Sequence, residues 1–289
     1  MARDVELTAS YWSTAGNAYP GGPVEASSFG FRDRVETGRR IGYRGMGFVH
    51  ADIIAVEQQL GLETMKMILD DNGMRYVEVE MIMDWFAEGE RGARSDRIRA
   101  DLLRAAEPLG ACHIKIGGDL VDSRDDPSRI DSMVEDFRIL CAQAADAGTS
   151  VALELMPFSN LATIDHGLQL IRGSGARNGG LLLDIWHMAR GGIDAARIRT
   201  TPKDAISWIE LNDADTAIVG DLWNDTLHHR KLPGEGALDI AAFLRAVRDA
   251  GYEGPYGVEI LSREHRARPL ADALERPFTT AMAQFERLG

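Results

Sequence analysis

The chain is short of cysteine, of long apolar runs and of clustered positive charge, and each shortage removes a class of protein. Its two cysteines, Cys112 and Cys141, form neither a disulfide framework nor a zinc spacing. Both fall in apolar stretches and read as buried free thiols of a reducing compartment. No apolar run reaches the ~18 residues a membrane-spanning helix needs, and residues 1–25 contain no apolar leader core. A cytoplasmic protein is expected, with no membrane partner. The 32 basic residues are outnumbered by 45 acidic ones, for a formal net charge of −13, and no Lys/Arg block stands out. A polyanion would meet a repulsive field, so no nucleic-acid partner is expected. Short internal repeats, low-complexity tracts and a Pro/Gly/Ser linker are absent as well. One domain over residues 1–289 is the expectation.

What is present is a regular alternation. Eight short β-like runs recur: 5–10, 43–50, 76–83, 111–117, 150–156, 180–185, 205–211 and 256–261. Amphipathic helical patterns lie between them. In 130–148, Met133, Phe137, Leu140 and Cys141 share one face and Gly148 supplies the stop. Further helices are predicted over 53–73, 97–110, 163–175, 240–251 and 271–289. Eight strand–helix units in fewer than 300 residues predict a single (β/α)8 barrel. A doubly wound sheet would carry a Gly-rich phosphate turn after its first strand. GYRGMG (42–47) lies before or within a strand and does not qualify. The longest irregular stretch, about 212–236, precedes a helix expected from Leu238 and marks a functional loop.

Four acids sit where the last four strands end: Glu154, Asp184, Glu210 and Glu259. Each interrupts an apolar run. A buried carboxylate is costly unless it is paired or bound to metal. Four at matching positions of a barrel point to one shared site at its C-terminal mouth. All-oxygen ligation favours a hard divalent cation, Mn²⁺ or Mg²⁺, over a structural zinc. Read singly, each acid is a helix cap or an ion-pair partner.

His187 follows Asp184 by three residues, in reach of the open side of such a site. In HHRKLPGEGALDI (228–240), Arg230 and, less strongly, Lys231, His228 and His229 offer a clamp for a hydroxylated or anionic substrate. Pro233, Gly234 and Gly236 fix a tight turn there. Lys115 shares a strand face with His113. It either faces the axis, paired with the acids or with substrate, or reaches solvent from the rim. His50 and Trp12, at the ends of the second and first strands, line the mouth or pack beneath it. Glu78, Glu80 and Asp84 alternate through the third strand. If they face inward, some must pair with arginines such as Arg91, Arg94 or Arg97.

In order and spacing, ELMPFSN, LLLDIWHMARGG, WIELNDAD, RKLPGEGALDI and GPYGVEIL resemble the xylose isomerase-like TIM-barrel superfamily, clearly from about 150 to 262. The superfamily includes sugar isomerases and epimerases and the inosose and dehydroshikimate dehydratases. The resemblance implies one Mn²⁺, Mg²⁺, Co²⁺ or Zn²⁺ held by Glu154, Asp184, Glu210 and Glu259, with substrate contacts from His187 and Arg230. Glu210 stands where the family carries a neutral His or Gln. It ligates, is protonated, or turns away. The implied chemistry is isomerisation or epimerisation of a keto or aldehydo sugar or polyol through an enediolate. Glu154 and Glu259 would move the proton. Loss of a β-hydroxyl from the same intermediate would make the protein a dehydratase. A barrel that has lost its chemistry is a third reading. An apurinic endonuclease is disfavoured by the charge and by only seven histidines. The partner is a small keto-sugar or polyol, and a homo-oligomer stays open.

Overall fold

Alternation of side chains along extended backbone is what builds this molecule. In each of eight short segments one alternate set is largely apolar. Leu7 and Ala9, Val77 and Val79, Val151 and Leu153, and Leu181 and Leu183 are examples, and all belong to one continuous buried core. The computed structural model describes residues 5–121 and 126–288. Its strands are β1 (Leu7–Ala9), β2 (Gly45–Val49), β3 (Tyr76–Ile82), β4 (Ala111–Ile116), β5 (Ser150–Glu154), β6 (Gly179–Asp184), β7 (Ile206–Leu211) and β8 (Tyr256–Val258). Each pairs in parallel with the next, and β8 returns to pair with β1. The result is the expected closed (β/α)8 barrel, with the aliphatic set facing the helices outside.

The other alternate set faces the barrel axis. Such interiors are normally filled with layers of branched apolar side chains. Here Ala152, Leu182 and Trp208 make only a small apolar cluster. The same faces of β5, β6 and β7 then end in Glu154, Asp184 and Glu210. Glycines make the room for this. A Cβ on Gly47 would lie 2.8 Å from Glu78 Cγ, and one on Gly257 3.0 Å from Glu210 Cγ.

The helices follow the predicted pattern with several differences. The helix Phe31–Ile41 between β1 and β2, and the short helices Ile185–Arg190 and Ala195–Arg199 between β6 and β7, are not among those expected. The run 53–73 is two helices, His50–Leu60 and Leu62–Asp71, because Gly61 between them adopts φ +75°. The helix expected over 97–110 begins earlier, at Gly89. The stretch 212–236 is not irregular throughout: Leu222–His228 is a helix capped by Asp221, whose carboxylate accepts from Asn224 N at 2.7 Å. Two helical turns are too short to register as a periodic pattern. The next helix starts at Ile240 rather than Leu238, capped by Asp239. Among the described residues no helix is long and apolar enough to cross a membrane.

A buried histidine ties the loop after β8 to the segment after β1. His265 Nε2 donates to the Ser13 carbonyl at 3.0 Å, and its Nδ1 has no partner. Burial pushes this imidazole down to about 4. The sign follows from that depression. The neutral ring's contribution is present above its unfolded value of about 6.5 and is lost as pH falls toward 4, at about 1.4 kcal/mol per unit. Urea unfolding at pH 7 and pH 4.5 should therefore show a smaller loss of stability in His265→Gln than in the unsubstituted protein. Equal losses would mean that His265 ionises freely in the fold.

Candidate metal centre and catalytic cavity

Strand register decides which acids meet. Asp184 pairs with Glu210 across β6 and β7, and Glu210 with Gly257 across β7 and β8, which sets Glu259 one inward position beyond. Glu154 closes the group from the end of β5. One oxygen of each of Glu154, Asp184, Glu210 and Glu259 lies within 4.8 Å of the others, and all four side chains are buried. Glu210 does not turn away. Its Oε1 accepts from Lys115 Nζ at 2.8 Å and from Ser10 Oγ at 3.1 Å, while its Oε2 has no partner.

Two cations are built into the group. Arg230 Nη1 donates to Asp184 Oδ2 and Glu259 Oε2, both at 2.9 Å. Its other face donates to Thr226 Oγ1 at 2.8 Å, and its guanidinium carbon lies 5.4 Å from the Trp186 ring centre. Lys115 is fully buried beneath the acids, with Nζ also 3.1 Å from Glu259 and 3.2 Å from Glu80. As an expected substrate contact, Lys115 needs correction. Its anion is the acid cluster, which closes over it.

Asp184 does double duty. Oδ1 accepts from His187 N at 3.1 Å and so caps the short helix Ile185–Arg190, which aims His187 at the group. His187 Nε2 lies 3.1 Å from Glu154 Oε1 and 3.3 Å from Arg230 Nη2. With a proton it donates to the glutamate, and without one it accepts from the arginine. Sequence reasoning does not single out Asn212, whose Nδ2 donates to Asp184 Oδ2 at 2.7 Å. Its spacing of two from Glu210 is the signal that it shares the inward face. Nor does sequence reasoning single out Asp213. Its carboxylate accepts from Gly234 N and Gly236 N, each at 2.9 Å, and from Leu238 N at 3.0 Å. That pins the PGEG turn to β7. A Cβ on Gly236 would lie 2.4 Å from Asp213 Oδ1, so the turn closes only on glycine.

The remaining expected residues are dispersed around this centre. Trp12 and His50 line the cavity above it, and His50 Nε2 is held by Asp101 at 2.8 Å. Lys231 pairs outward with Asp215, and His228 packs edge-on against Tyr19. Glu78 and Glu80 do face inward, but not toward arginines. Glu80 meets Lys115, and Glu78 lies 3.6 Å from His113 Nε2. Only Asp84, at the mouth, meets Arg91 and Arg94.

The charge balance is lopsided. Glu78, Glu80, Glu154, Asp184, Glu210 and Glu259 are six buried carboxylates facing two permanent cations, Lys115 and Arg230. With all six ionised, four negative charges would remain, or two with both His113 and His187 protonated, so the acids are driven to take up protons or a cation. The acids respond as expected. Burial pushes Glu80 up to about 8 and, helped by Glu259, raises Glu210 well above the carboxylate range. Burial also raises Glu259, against the pull of Lys115 and Arg230. At Glu154 burial acts upward too, but Lys115, His187 and Arg230 outweigh it and hold the group at about 2. A compact all-carboxylate donor set, an orphaned Glu210 oxygen, and carboxyls that burial beside one another drives toward the protonated form fit one divalent cation.

Above the carboxylates opens a cavity of about 550 Å³. Glu80, Glu154, His187, Arg230 and Glu259 lie among its lining residues and form its charged floor.

A family model described as "Xylose isomerase-like TIM barrel" matches residues 35–279. Over 187 residues the chain is 29% identical to a 3-dehydroshikimate dehydratase of Pseudomonas putida, covering 62% of this chain and 29% of that protein. The chain thus spans less than a third of that relative's length. An inosose isomerase of Halalkalibacterium halodurans is 25% identical over 130 residues, 44% of this chain and 45% of that one. Among solved structures, an IolI protein with a bound zinc atom superposes with a TM-score of 0.85 at 17% identity, covering 98% of this chain and 99% of that one. That last likeness is one of fold.

Proposed function

Because the chain belongs to the xylose isomerase-like TIM-barrel family, we propose that it is a metal-dependent enzyme that moves a proton beside the carbonyl of a polyhydroxy ketone or aldehyde. The observation that carries this reading is the set of four carboxylates from consecutive strand ends, within 4.8 Å of one another and left with uncompensated charge. A divalent ion held by Glu154, Asp184, Glu210 and Glu259 would supply Lewis-acid polarisation of that carbonyl.

The chain's own groups divide the remaining work. Glu154, held ionised, is the base that takes the proton α to the carbonyl. Glu259, raised by its burial, is the group that returns one. Environments that push two carboxyls apart in this way are how one pocket runs acid and base chemistry together. Arg230, buried and bridging Asp184 and Glu259, keeps those two side chains in register. His187, between Glu154 and Arg230, passes or holds a proton at the substrate oxygen nearest Nε2. Return of the proton to the neighbouring carbon gives isomerisation, and return to the opposite face gives epimerisation.

The second reading keeps the same floor and ends in loss of a β-hydroxyl. Its support is the similarity to a relative named a 3-dehydroshikimate dehydratase. A panel of keto-sugars, inosose and dehydroshikimate followed by NMR in D₂O separates these outcomes. Deuterium at an α-carbon without dehydration supports the first, a product that has lost one water supports the second, and neither in metal-loaded protein sinks both.

Metal uptake is itself predicted. Purified protein should take up one Mn²⁺, Mg²⁺, Co²⁺ or Zn²⁺ per chain. At a few hundred times Kd the stabilisation should be about 3–4 kcal/mol. Elemental analysis showing no metal, together with no thermal shift on addition of any of the four, would remove the reading.

A further inference from the structure

The cavity above the acids has a charged floor and nonpolar walls. Trp12, Val49, Met83, Met156, Phe158 and Trp223 supply much of those walls. The polar side chains among them are few, and each already has a partner within the protein. His50 is held by Asp101, and Asp84 and Arg94 hold each other. Ser95 Oγ donates to the Met83 carbonyl at 2.6 Å, and Thr226 Oγ1 accepts from Arg230. Glu25 Oε1 accepts from Gly21 N at 2.7 Å. A sugar bearing a hydroxyl on every carbon would satisfy its oxygens at the floor and set most of the rest against walls that offer few partners, which costs affinity.

An aromatic ladder climbs one wall from the floor to the rim. Phe158 meets His187 edge-on with ring centres 5.8 Å apart, and meets Trp223 at 90° with centres 5.5 Å apart. Trp223, on the helix Leu222–His228, is 44% exposed, unusual for a side chain of that size. Edge-to-face rings beside an open cavity offer a flat apolar group both area and favourable geometry. The cavity volume of about 550 Å³ lies within the roughly 300–1,000 Å³ of sites that take drug-sized ligands.

We propose that the substrate is a polyhydroxy ketone carrying a flat apolar substituent, an aromatic ring foremost, with its oxygens on the carboxylate floor and its ring against Phe158 and Trp223. The inference rests on the reading of the floor as a centre for carbonyl chemistry, but its test does not.

Calorimetric titration of the full chain, with and without Mn²⁺, would compare phenyl with methyl β-D-glucopyranoside and phenyl with methyl β-D-galactopyranoside. In at least one pair the phenyl compound should bind about tenfold tighter or more, the order expected for burying one ring. Trp223→Ala, at a half-exposed position, and Phe158→Ala should erase that preference while leaving Mn²⁺ affinity unchanged. Indistinguishable phenyl and methyl compounds in both pairs would overturn the proposal. So would a phenyl preference that survives both substitutions, or sedimentation showing that a second copy covers Trp223. A protein that takes up metal and exchanges deuterium but lacks the preference loses this inference alone. One that shows the preference without metal uptake or exchange loses only the reaction.

Discussion

Glu154→Gln and Glu259→Gln are each expected to abolish turnover while leaving the chain folded. Both side chains are buried at strand ends on the cavity floor, and each is proposed both to hold the cation and to move a proton. Losing a general acid or base alone typically costs about 10²–10⁴-fold. Loss of a ligand adds to that, so the fall should exceed this range. The fold should tolerate the change because Gln is nearly isosteric with Glu and keeps one accepting oxygen. Metal-free circular dichroism melts should stay cooperative: Glu259→Gln should match or exceed the unsubstituted protein, because burial already raises that carboxyl, while Glu154→Gln should melt somewhat lower, because Lys115, His187 and Arg230 favour its charge. Elemental analysis separates lost metal from lost proton transfer. If either variant keeps more than about a tenth of the unsubstituted rate, that glutamate is not on the proton path.

Lys115→Met should produce the largest loss of stability of any single substitution in the barrel interior. The ammonium is fully buried and lies within 3.2 Å of Glu80, Glu210 and Glu259. Burial alone would lower its pKa, but these acids raise it well above the usual lysine value, so it stays charged. Removing one partner of a buried ionic group leaves the others uncompensated and costs about 3–5 kcal/mol. Against a typical total of about 5–15 kcal/mol that is a large fraction. Chemical denaturation should register the loss. Lys115→Met combined with Glu210→Gln should recover part of it, because one of the stranded charges is gone. A single variant as stable as the unsubstituted protein would mean that the acids stay protonated without the lysine.

Much of this architecture is legible in the sequence because a parallel barrel repeats a local signal eight times. Each strand is short and apolar, six of the eight are followed by a helix-length amphipathic run, and the eight strand positions agree closely with those observed. The acids stand out for the same reason. Glu154, Asp184, Glu210 and Glu259 break apolar runs at equivalent places, and only a shared site makes four such breaks tolerable. His187 and Arg230 are readable because they lie beside these motifs.

What the sequence by itself determined, then, was the class of fold and the identity of the residues on its axis, since period-two alternation assigns each side chain to one face of its strand. Tertiary structure decided how those residues share charge. Closure of β8 onto β1 and the stagger between strands set the depth of each inward residue, and no local pattern encodes that depth. Lys115 was equally able to reach solvent or the axis; depth put its ammonium under three glutamates. The same stagger brought Arg230, from a loop more than forty residues after Asp184, between Asp184 and Glu259. The apolar wall of Phe158 and Trp223 is likewise a product of the loop after β5 meeting the helix Leu222–His228, because side chains far apart in the chain form a surface only once the barrel has closed.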